Sequence, residues 1–167
     1  MYKDLLKECM ERLVDIGFDG YAIGGLSVGE KTEMMYEMTD ISTNHIPANS
    51  PRYLMGVGTP ENILNAIALG IDMFDCVMPT RNARNGQLFT TEGKINIKNS
   101  QFRLSDAPID PVIESDLLYG FTLGYLRHLF MTDEILGVKL ASIQNINFYQ
   151  WLTEQAREHI RCGDFEI

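Results

Sequence analysis

One acidic residue, Asp75, interrupts an apolar segment that predicts a buried strand. The segment reads Met73-Phe74-Asp75-Cys76-Val77 and is bounded by Gly70 and Pro79, which typically end a helix and a strand. A carboxylate is costly to bury without a partner, so Asp75 needs a physical reason to be there. It is a candidate for catalysis, and a structural ion pair with a nearby arginine is the other interpretation of its position.

A polar, cationic loop is predicted directly after this strand. Residues 79–86 read PTRNARNG and contain Arg81 and Arg84, two asparagines and no acid. Guanidinium groups bind phosphates and other oxyanions through paired hydrogen bonds. A carboxylate followed by this loop indicates a functional site, although the residue types alone leave the structural ion pair equally open.

Two other predicted strands are followed by glycines. Tyr21-Ala22-Ile23 is followed by Gly24-Gly25-Leu26, where bare backbone would let a flat ligand approach, and Ser27 is the predicted cap of the next helix. The strand over 52–58 leads into Thr59-Pro60-Glu61, which has the residue types of a helix N-terminus. Taken alone, these patterns also describe a tight turn and a well-capped helix.

The order of elements predicts an α/β fold with its site at the carboxyl ends of parallel strands, as in a (β/α)8 TIM barrel. Three strands cannot close such a barrel, so we expect its second half. A hairpin insertion with a Glu-Gly turn is predicted over 87–97, and residues 99–118 are irregular. Helices are predicted around 123–130, from Thr132 and from Asn145. The predicted domains are a half-barrel over 1–98 and a helical subdomain with closing barrel helices over 99–167.

Composition narrows the class of protein. The 167 residues are 45% hydrophobic and carry a net charge of −9, and the three cysteines are far apart, which predicts a cytoplasmic protein without disulfides. No apolar run is long enough to predict a membrane span. Residues 80–103 hold five basic side chains against one acidic one. This strip suits contact with a short RNA element, although such a cluster is also typical of a solvated face.

Three segments resemble bacterial tRNA-guanine transglycosylases, which exchange a guanine in tRNA for a 7-deazaguanine base. They are FDCVMPTRNARNG over 74–86, GYAIGGLSVGE over 20–30, and residues 51–62. The resemblance implies that Asp75 is the nucleophile that attacks C1′ of the wobble nucleotide and forms a covalent RNA intermediate. It implies base binding by Gly24, Gly25, Leu26 and Met55, with Glu30 behind the base loop. It implies RNA binding by Gly56, Val57, Gly58, Thr59, Pro60, Glu61, Asn62, Thr80, Arg81, Asn82, Ala83 and Arg84.

The chain departs from the family at its zinc site. The resemblance implies a structural zinc held by a CxCxxC cluster and a distant histidine. The matched positions here are Ile113, Ser115, Leu118 and Gln144. None of them offers a thiolate or an imidazole. We therefore expect no zinc and no other cofactor, with apolar packing of Ile113 and Leu118 holding the subdomain instead.

A second departure concerns the catalytic residues. The family's base-reading acid and glutamine, and the acid assigned to proton transfer, belong to the first half of its barrel. We therefore expect this chain to be the carboxyl-terminal catalytic part of a transglycosylase. The complete enzyme would replace guanine-34 of GUN-anticodon tRNAs with preQ1 in queuosine biosynthesis.

The expected partners are the tRNA anticodon loop, the 7-deazaguanine base, an amino-terminal half-barrel and, for the complete enzyme, a second copy in a homodimer. The alternatives are a catalytically inactive RNA-binding or partner subunit and, disfavoured by the long matches, an unrelated half-barrel.

Overall fold

The computed structural model describes residues 2–166, which form two compact units. Residues 2–77 and 163–166 form the first unit, and residues 78–162 form the second. The boundary after Val77 differs from the one predicted after residue 98. The physical reason is that the hairpin is held by the last helix: the Asn145 side chain accepts a hydrogen bond from the Phe89 N–H at 2.9 Å and donates one to the Gln87 carbonyl at 2.9 Å.

The first unit alternates helices and strands. Its elements are α1 (Lys3–Ile16), β1 (Tyr21–Ile23), α2 (Thr32–Thr43), β2 (Arg52–Leu54), α3 (Pro60–Ala68) and β3 (Met73–Phe74). The three strands are parallel in the order β1-β2-β3, and Ile23 pairs with Leu54, which pairs with Phe74. The α/β class with a parallel sheet, predicted from the order of elements, is confirmed.

The two faces of this sheet differ in their burial. On one face, Ile23 and Leu54 are fully buried in a core that includes methionines of α2, and Phe74 packs against that core. On the other face, Ala22 is exposed, Tyr53 is half-buried, and Met73 is 49% exposed. Parallel sheets are normally covered on both faces. Within residues 2–77, this sheet is covered on one.

Two predictions at helix starts have opposite outcomes. The predicted start of α3 is confirmed: the Thr59 hydroxyl accepts a hydrogen bond from the Asn62 N–H at 3.3 Å, and Pro60 occupies the first turn. Ser27 as a helix cap is wrong, because α2 begins at Thr32. Ser27 instead lies in the left-handed region (φ 59°), and its N–H donates to the Glu30 carboxylate within the turn.

The predicted buried strand around Asp75 is also wrong in length and burial. β3 ends at Phe74, Asp75 is exposed beyond it, and Val77 is 60% exposed. The ladder ends there because the next amide of the neighbouring segment, Gly56 N–H, bonds the Asp75 side chain instead of a backbone carbonyl. The predicted loop over 79–86 forms a helix, α4 (Met78–Arg84). Pro79 suits a first helical turn, and Gly86 (φ 80°) follows the helix end.

The second unit combines α4 with a hairpin and two more helices. β4 (Gln87–Thr90) and β5 (Gly93–Asn96) are antiparallel, which confirms the predicted hairpin, although its turn lies at Thr91–Glu92, one residue earlier than predicted. A short 3₁₀ helix (Ser100–Phe102) precedes a largely irregular segment. The last helices are α5 (Leu123–Met131) and α6 (Ile135–Cys162).

Two predicted helix starts in this unit are wrong. Thr132 follows the end of α5, whereas Thr122 caps its beginning by accepting a hydrogen bond from the Tyr125 N–H at 3.1 Å. Asn145 lies inside α6 and is fully buried, because its side-chain amide forms hydrogen bonds with the hairpin instead of capping a helix.

None of the helices in residues 2–166 has the length and apolar character to span a membrane.

Candidate functional site

Asp75 lies at the carboxyl end of β3, where a side chain from the neighbouring strand reaches it. Tyr53 in β2 pairs with Met73 in β3, so Tyr53 and Asp75, two residues beyond Met73, belong to the same face. The Tyr53 hydroxyl donates a hydrogen bond to Asp75 Oδ1 at 2.6 Å, and the Gly56 N–H donates to the same oxygen at 2.8 Å. Strand register and the turn after β2 therefore fix this carboxylate.

These two donors also favour the ionised form of Asp75. The hydrogen bond from Tyr53, assisted by that from the Gly56 N–H, holds the pKa of Asp75 below its usual range. The same bond raises the pKa of Tyr53, because only the neutral phenol can donate. Asp75 is thus ionised at neutral pH. Within residues 2–166, its Oδ2 accepts no hydrogen bond from another residue. One oxygen is held, and the other is open to a reacting atom.

The structural ion pair that the sequence left open for Asp75 is not observed. No arginine or lysine among residues 2–166 forms a salt bridge with it. Arg52, in the same unit, donates to the carbonyls of Ile46 at 2.6 Å and Gly70 at 3.4 Å. The Asp75 side chain therefore has only neutral hydrogen-bond donors as partners.

The residues expected to bind the base follow β1 and β2. The Met55 N–H donates to the Ile23 carbonyl at 3.0 Å, and a Cβ added at Gly24 would lie 3.2 Å from Met55 Sδ. The structure therefore brings Gly24 and Met55 together. Gly25 has a φ of 73°, which favours glycine, and Leu26 buries its side chain in the core, so only its main chain is available to a ligand.

Glu30 closes the turn that follows Gly24 and Gly25. Its carboxylate accepts hydrogen bonds from the N–H groups of Ser27 and Val28, the latter at 2.9 Å. Burial opposes its ionisation, but the backbone hydrogen bonds outweigh burial and lower the pKa of Glu30. A charged side chain thus fixes the backbone of the turn over 27–30.

Burial and side-chain contacts hold the segment over 56–62 in place. Val57 and Gly58 are buried, and a Cβ at Gly58 would lie 3.1 Å from the Asn62 side chain. The Asn62 side-chain oxygen Oδ1 accepts a hydrogen bond from the Tyr36 hydroxyl at 2.8 Å. Of the residues assigned to RNA here, Gly56 and Glu61 are exposed, whereas Thr59, Pro60 and Asn62 are partly buried.

In the second unit, α4 presents two cations. Arg81 and Arg84 are exposed and one turn apart, and neither forms an ion pair with any acid in the described part of the chain. Thr80 and Asn82 are partly buried, and Ala83 is fully buried in the core. Ala83 therefore positions the helix, and the two arginines offer their side chains to a ligand.

Sequence reasoning missed Tyr53. It was assigned only to a strand, whereas it donates the shortest hydrogen bond to Asp75. The signal lies in the register of two parallel strands. This register brings together residues 22 positions apart and cannot be predicted from a local sequence pattern.

The described residues contain no group of three or more His, Cys, Asp or Glu side chains that could hold a metal ion.

The parallel sheet with alternating helices defines an α/β protein, and its glycine turns and the ionised Asp75 lie at the carboxyl edge of that sheet, where such proteins commonly bind ligands. The model of the queuine tRNA-ribosyltransferase family matches residues 1–167. The chain therefore belongs to the queuine tRNA-ribosyltransferase, or tRNA-guanine transglycosylase, family.

Curated relatives agree with this assignment. The queuine tRNA-ribosyltransferase of Solidesulfovibrio magneticus is 48% identical over 164 residues, which cover 98% of this chain and 44% of the relative. The enzyme of that name from Desulforapulum autotrophicum is 48% identical over 165 residues, covering 99% of this chain and 45% of the relative. That of Acinetobacter baumannii is 50% identical over 166 residues, covering 99% and 44%. The chain thus spans less than half the length of these relatives.

Proposed function

We propose that this chain is the carboxyl-terminal catalytic part of a tRNA-guanine transglycosylase, exchanging guanine-34 of GUN-anticodon tRNAs for preQ1. The observation that carries the proposal is the Asp75 carboxylate: it is exposed and ionised, and it is held through Oδ1 with Oδ2 open. Family membership supplies the substrate class, since the relatives are named as tRNA-ribosyltransferases.

The proposed reaction has two displacements at one sugar carbon. Asp75 Oδ2 attacks C1′ of the wobble nucleotide, the C1′–N9 bond breaks, and guanine leaves with the electron pair and takes up a proton. N9 of the incoming 7-deazaguanine base then loses its proton and attacks C1′, and Asp75 departs as a carboxylate. Two inversions retain the configuration, as in retaining glycosidases. We assign the proton transfers to an acid of the amino-terminal half-barrel.

We assign the base and RNA contacts to the residues that the family resemblance implies. The exposed backbone at Gly24 and Gly25, next to Met55, suits one face and edge of a purine-like base. The exposed guanidinium groups of Arg81 and Arg84 suit RNA phosphates or base edges. Within the first unit, the Leu26 main chain is a further proposed base contact, and the segment over 56–62 offers further proposed RNA contacts at its exposed residues Gly56 and Glu61.

The architecture we propose for the whole is a partial (β/α)8 barrel with a hairpin insertion and a helical subdomain. The parallel order β1-β2-β3 and the uncovered face at Ala22, Tyr53 and Met73 support it, because barrel strands are covered on both faces. An amino-terminal half-barrel would cover that face. We further propose a homodimer of the completed enzyme in the cytoplasm.

The test is exchange of labelled guanine into tRNA with a GUN anticodon, first with this chain alone and then with a matching amino-terminal half added. Exchange only in the mixture is the expected result. Exchange by the chain alone would contradict the assignment of proton transfer to the other half.

Covalent trapping separates this function from that of an inactive RNA-binding or partner subunit. An RNA adduct that survives denaturation and disappears in the Asp75→Asn variant requires a reactive carboxylate. RNA binding with neither adduct nor exchange in the mixture would support the inactive subunit instead.

A further inference from the structure

The four positions that match the family's zinc ligands lie around a single cavity in the second unit. Ile113, Ser115, Leu118 and Gln144 all line a cavity of about 460 Å³. The first three belong to the irregular segment before α5, and Gln144 belongs to α6. The backbone therefore still brings together the positions at which the family holds its metal.

The side chains at these positions do not fit a structural zinc. Ile113 and Leu118 have no donor atom, and Ser115 offers a neutral hydroxyl. Gln144 donates its Nε2 to the Phe89 carbonyl at 3.0 Å and to Asp110 at 3.3 Å, and its buried Oε1 has no partner among the described residues. Structural zinc sites take four ligands, mostly thiolates and imidazoles. A single amide oxygen and a hydroxyl do not make such a site.

A carboxylate makes the cross-links of this segment instead. Asp110 Oδ1 accepts hydrogen bonds from the N–H groups of Val112 at 2.9 Å and Ile113 at 3.0 Å and from the Thr91 hydroxyl at 3.0 Å. Its Oδ2 accepts from the Thr91 N–H at 2.9 Å and from Gln144. Asp110 thus joins the hairpin turn, the irregular segment and α6.

Apolar packing completes this attachment. Leu118 is 9% exposed and belongs to the core cluster of the second unit with Ile109 and Leu126. The segment is closed at its end by the Leu123 N–H, which donates to the Ala107 carbonyl at 2.9 Å. These contacts fix both ends of the segment that a zinc ion would otherwise have to hold.

We propose that this chain holds residues 108–121 without a metal ion, through the Asp110 cross-links and the packing of Leu118. A metal ties together ligands that are distant in sequence. Here the buried carboxylate of Asp110 ties three segments together by accepting hydrogen bonds from each of them. The fold of this region therefore does not depend on a supply of zinc. The inference concerns the second unit alone and does not depend on the proposed transglycosylase activity.

The first test measures zinc content and thermal stability of the chain produced in zinc-supplemented medium. We expect far less than one zinc per chain by mass spectrometry of the metals, and a melting temperature that EDTA leaves unchanged. One bound zinc per chain, or a melting temperature that falls with EDTA, would overturn the proposal.

The second test removes the two hydrogen bonds to Asp110 Oδ2 without changing the shape of the side chain. In Asp110→Asn, the new NH₂ group cannot accept from the Thr91 N–H, so we expect the Thr91 amide to exchange with solvent on the order of tenfold faster. Asp116→Asn is the matched control, because Asp116 lines the same cavity and is exposed. Equal exchange in the two variants would contradict the role of Asp110.

The third test restores the family's ligands. The combined variant Ile113→Cys, Ser115→Cys, Leu118→Cys and Gln144→His, refolded with zinc, is expected to bind about one zinc per chain and to become sensitive to EDTA. A folded variant that binds no zinc would contradict the statement that the backbone still brings these positions together.

Discussion

Asp75 and Asp110 both have a lowered pKa, yet the tasks proposed for them are opposite. Asp75 in the first unit is exposed and has two hydrogen-bond donors, both on Oδ1. Asp110 in the second unit is 8% exposed and accepts five hydrogen bonds over both oxygens. For Asp110, burial opposes ionisation, and the hydrogen bonds outweigh it and lower the pKa. A lowered pKa therefore does not separate the two roles proposed for these carboxylates, whereas the accessibility of the second oxygen does.

The largest expected effect is on the exchange reaction of the completed enzyme. Asp75→Asn should lower guanine exchange by on the order of 10⁴-fold or more, because an amide cannot form the covalent intermediate. Its melting temperature should stay close to that of the wild type, since Asp75 is exposed. Labelled-guanine exchange and thermal unfolding measure the two expectations.

Asp72→Asn is the matched control for this variant. Asp72 is an exposed carboxylate three residues earlier, which accepts a hydrogen bond from the Arg52 N–H at 2.8 Å. Its replacement should leave exchange within a few-fold of the wild type. Turnover retained in Asp75→Asn would remove Asp75 from the mechanism.

For Asp110 we expect the main effect of replacement to be on stability and not on guanine exchange. Asp110→Asn should lower the free energy of unfolding by about 2–3 kcal/mol, because the new NH₂ group cannot accept the hydrogen bonds from the Thr91 N–H and Gln144. Urea unfolding followed by circular dichroism measures this loss. A loss no larger than that of the Asp116→Asn control would place the stability of the segment elsewhere.

The comparison extends to two pairs of arginines. Arg81 and Arg84 form no ion pair among residues 2–166, whereas Arg157 and Arg161 pair with Glu154 and Glu158 on α6. Replacing Arg81 and Arg84 together by alanine should weaken tRNA binding about tenfold. It should also reduce the slope of log affinity against log salt by about 1.4 for two lost phosphate contacts.

Filter binding over a range of salt concentrations measures both quantities. Replacing Arg157 and Arg161 by alanine should change neither affinity nor slope. If the two double variants bind equally well, the RNA site lies elsewhere than α4.

The smallest effect is expected at the residue that positions Asp75. Tyr53→Phe removes the donor to Oδ1, so the pKa of Asp75 should rise toward its usual value. Because the attacking form is ionised, activity is lost as pH falls through this pKa, and the acid limb should move to higher pH. The rate at neutral pH should fall by less than about tenfold.

Carbon NMR titration of the carboxylate and a pH profile of exchange measure the two effects. Tyr36→Phe is the control, since the Tyr36 hydroxyl bonds Asn62 instead of Asp75. An unchanged acid limb in Tyr53→Phe would show that Tyr53 has no influence on the reacting group.

Local patterns predicted the framework well. The amphipathic stripe of α1, the Thr-Pro-Glu start of α3 and the hairpin β4–β5 all lie where their sequences place them. In each case the deciding interactions are between residues close in sequence. This is the range over which helix capping, turns and hydrophobic periodicity act.

The errors occur where distant residues decide. Asn145 resembles a helix start, but three hydrogen bonds to residues of the 78–90 region hold it inside α6. Asp75 resembles a buried strand residue, but Tyr53 and Gly56 hold it in the open. The site residues could be named from their resemblance to a family. The geometry that makes one carboxylate open and the other closed could not be read from the chain.

The uncovered face of the sheet β1-β2-β3 has a thermodynamic consequence. A polypeptide that covers Ala22, Tyr53 and Met73 binds the folded first unit and not the unfolded chain. By linkage, the folded state then gains about 2.7 kcal/mol when that polypeptide is present at a hundred times its dissociation constant. The melting temperature of the first unit should therefore rise with the concentration of such a polypeptide, and a titration of melting temperature would measure the affinity of the proposed amino-terminal half.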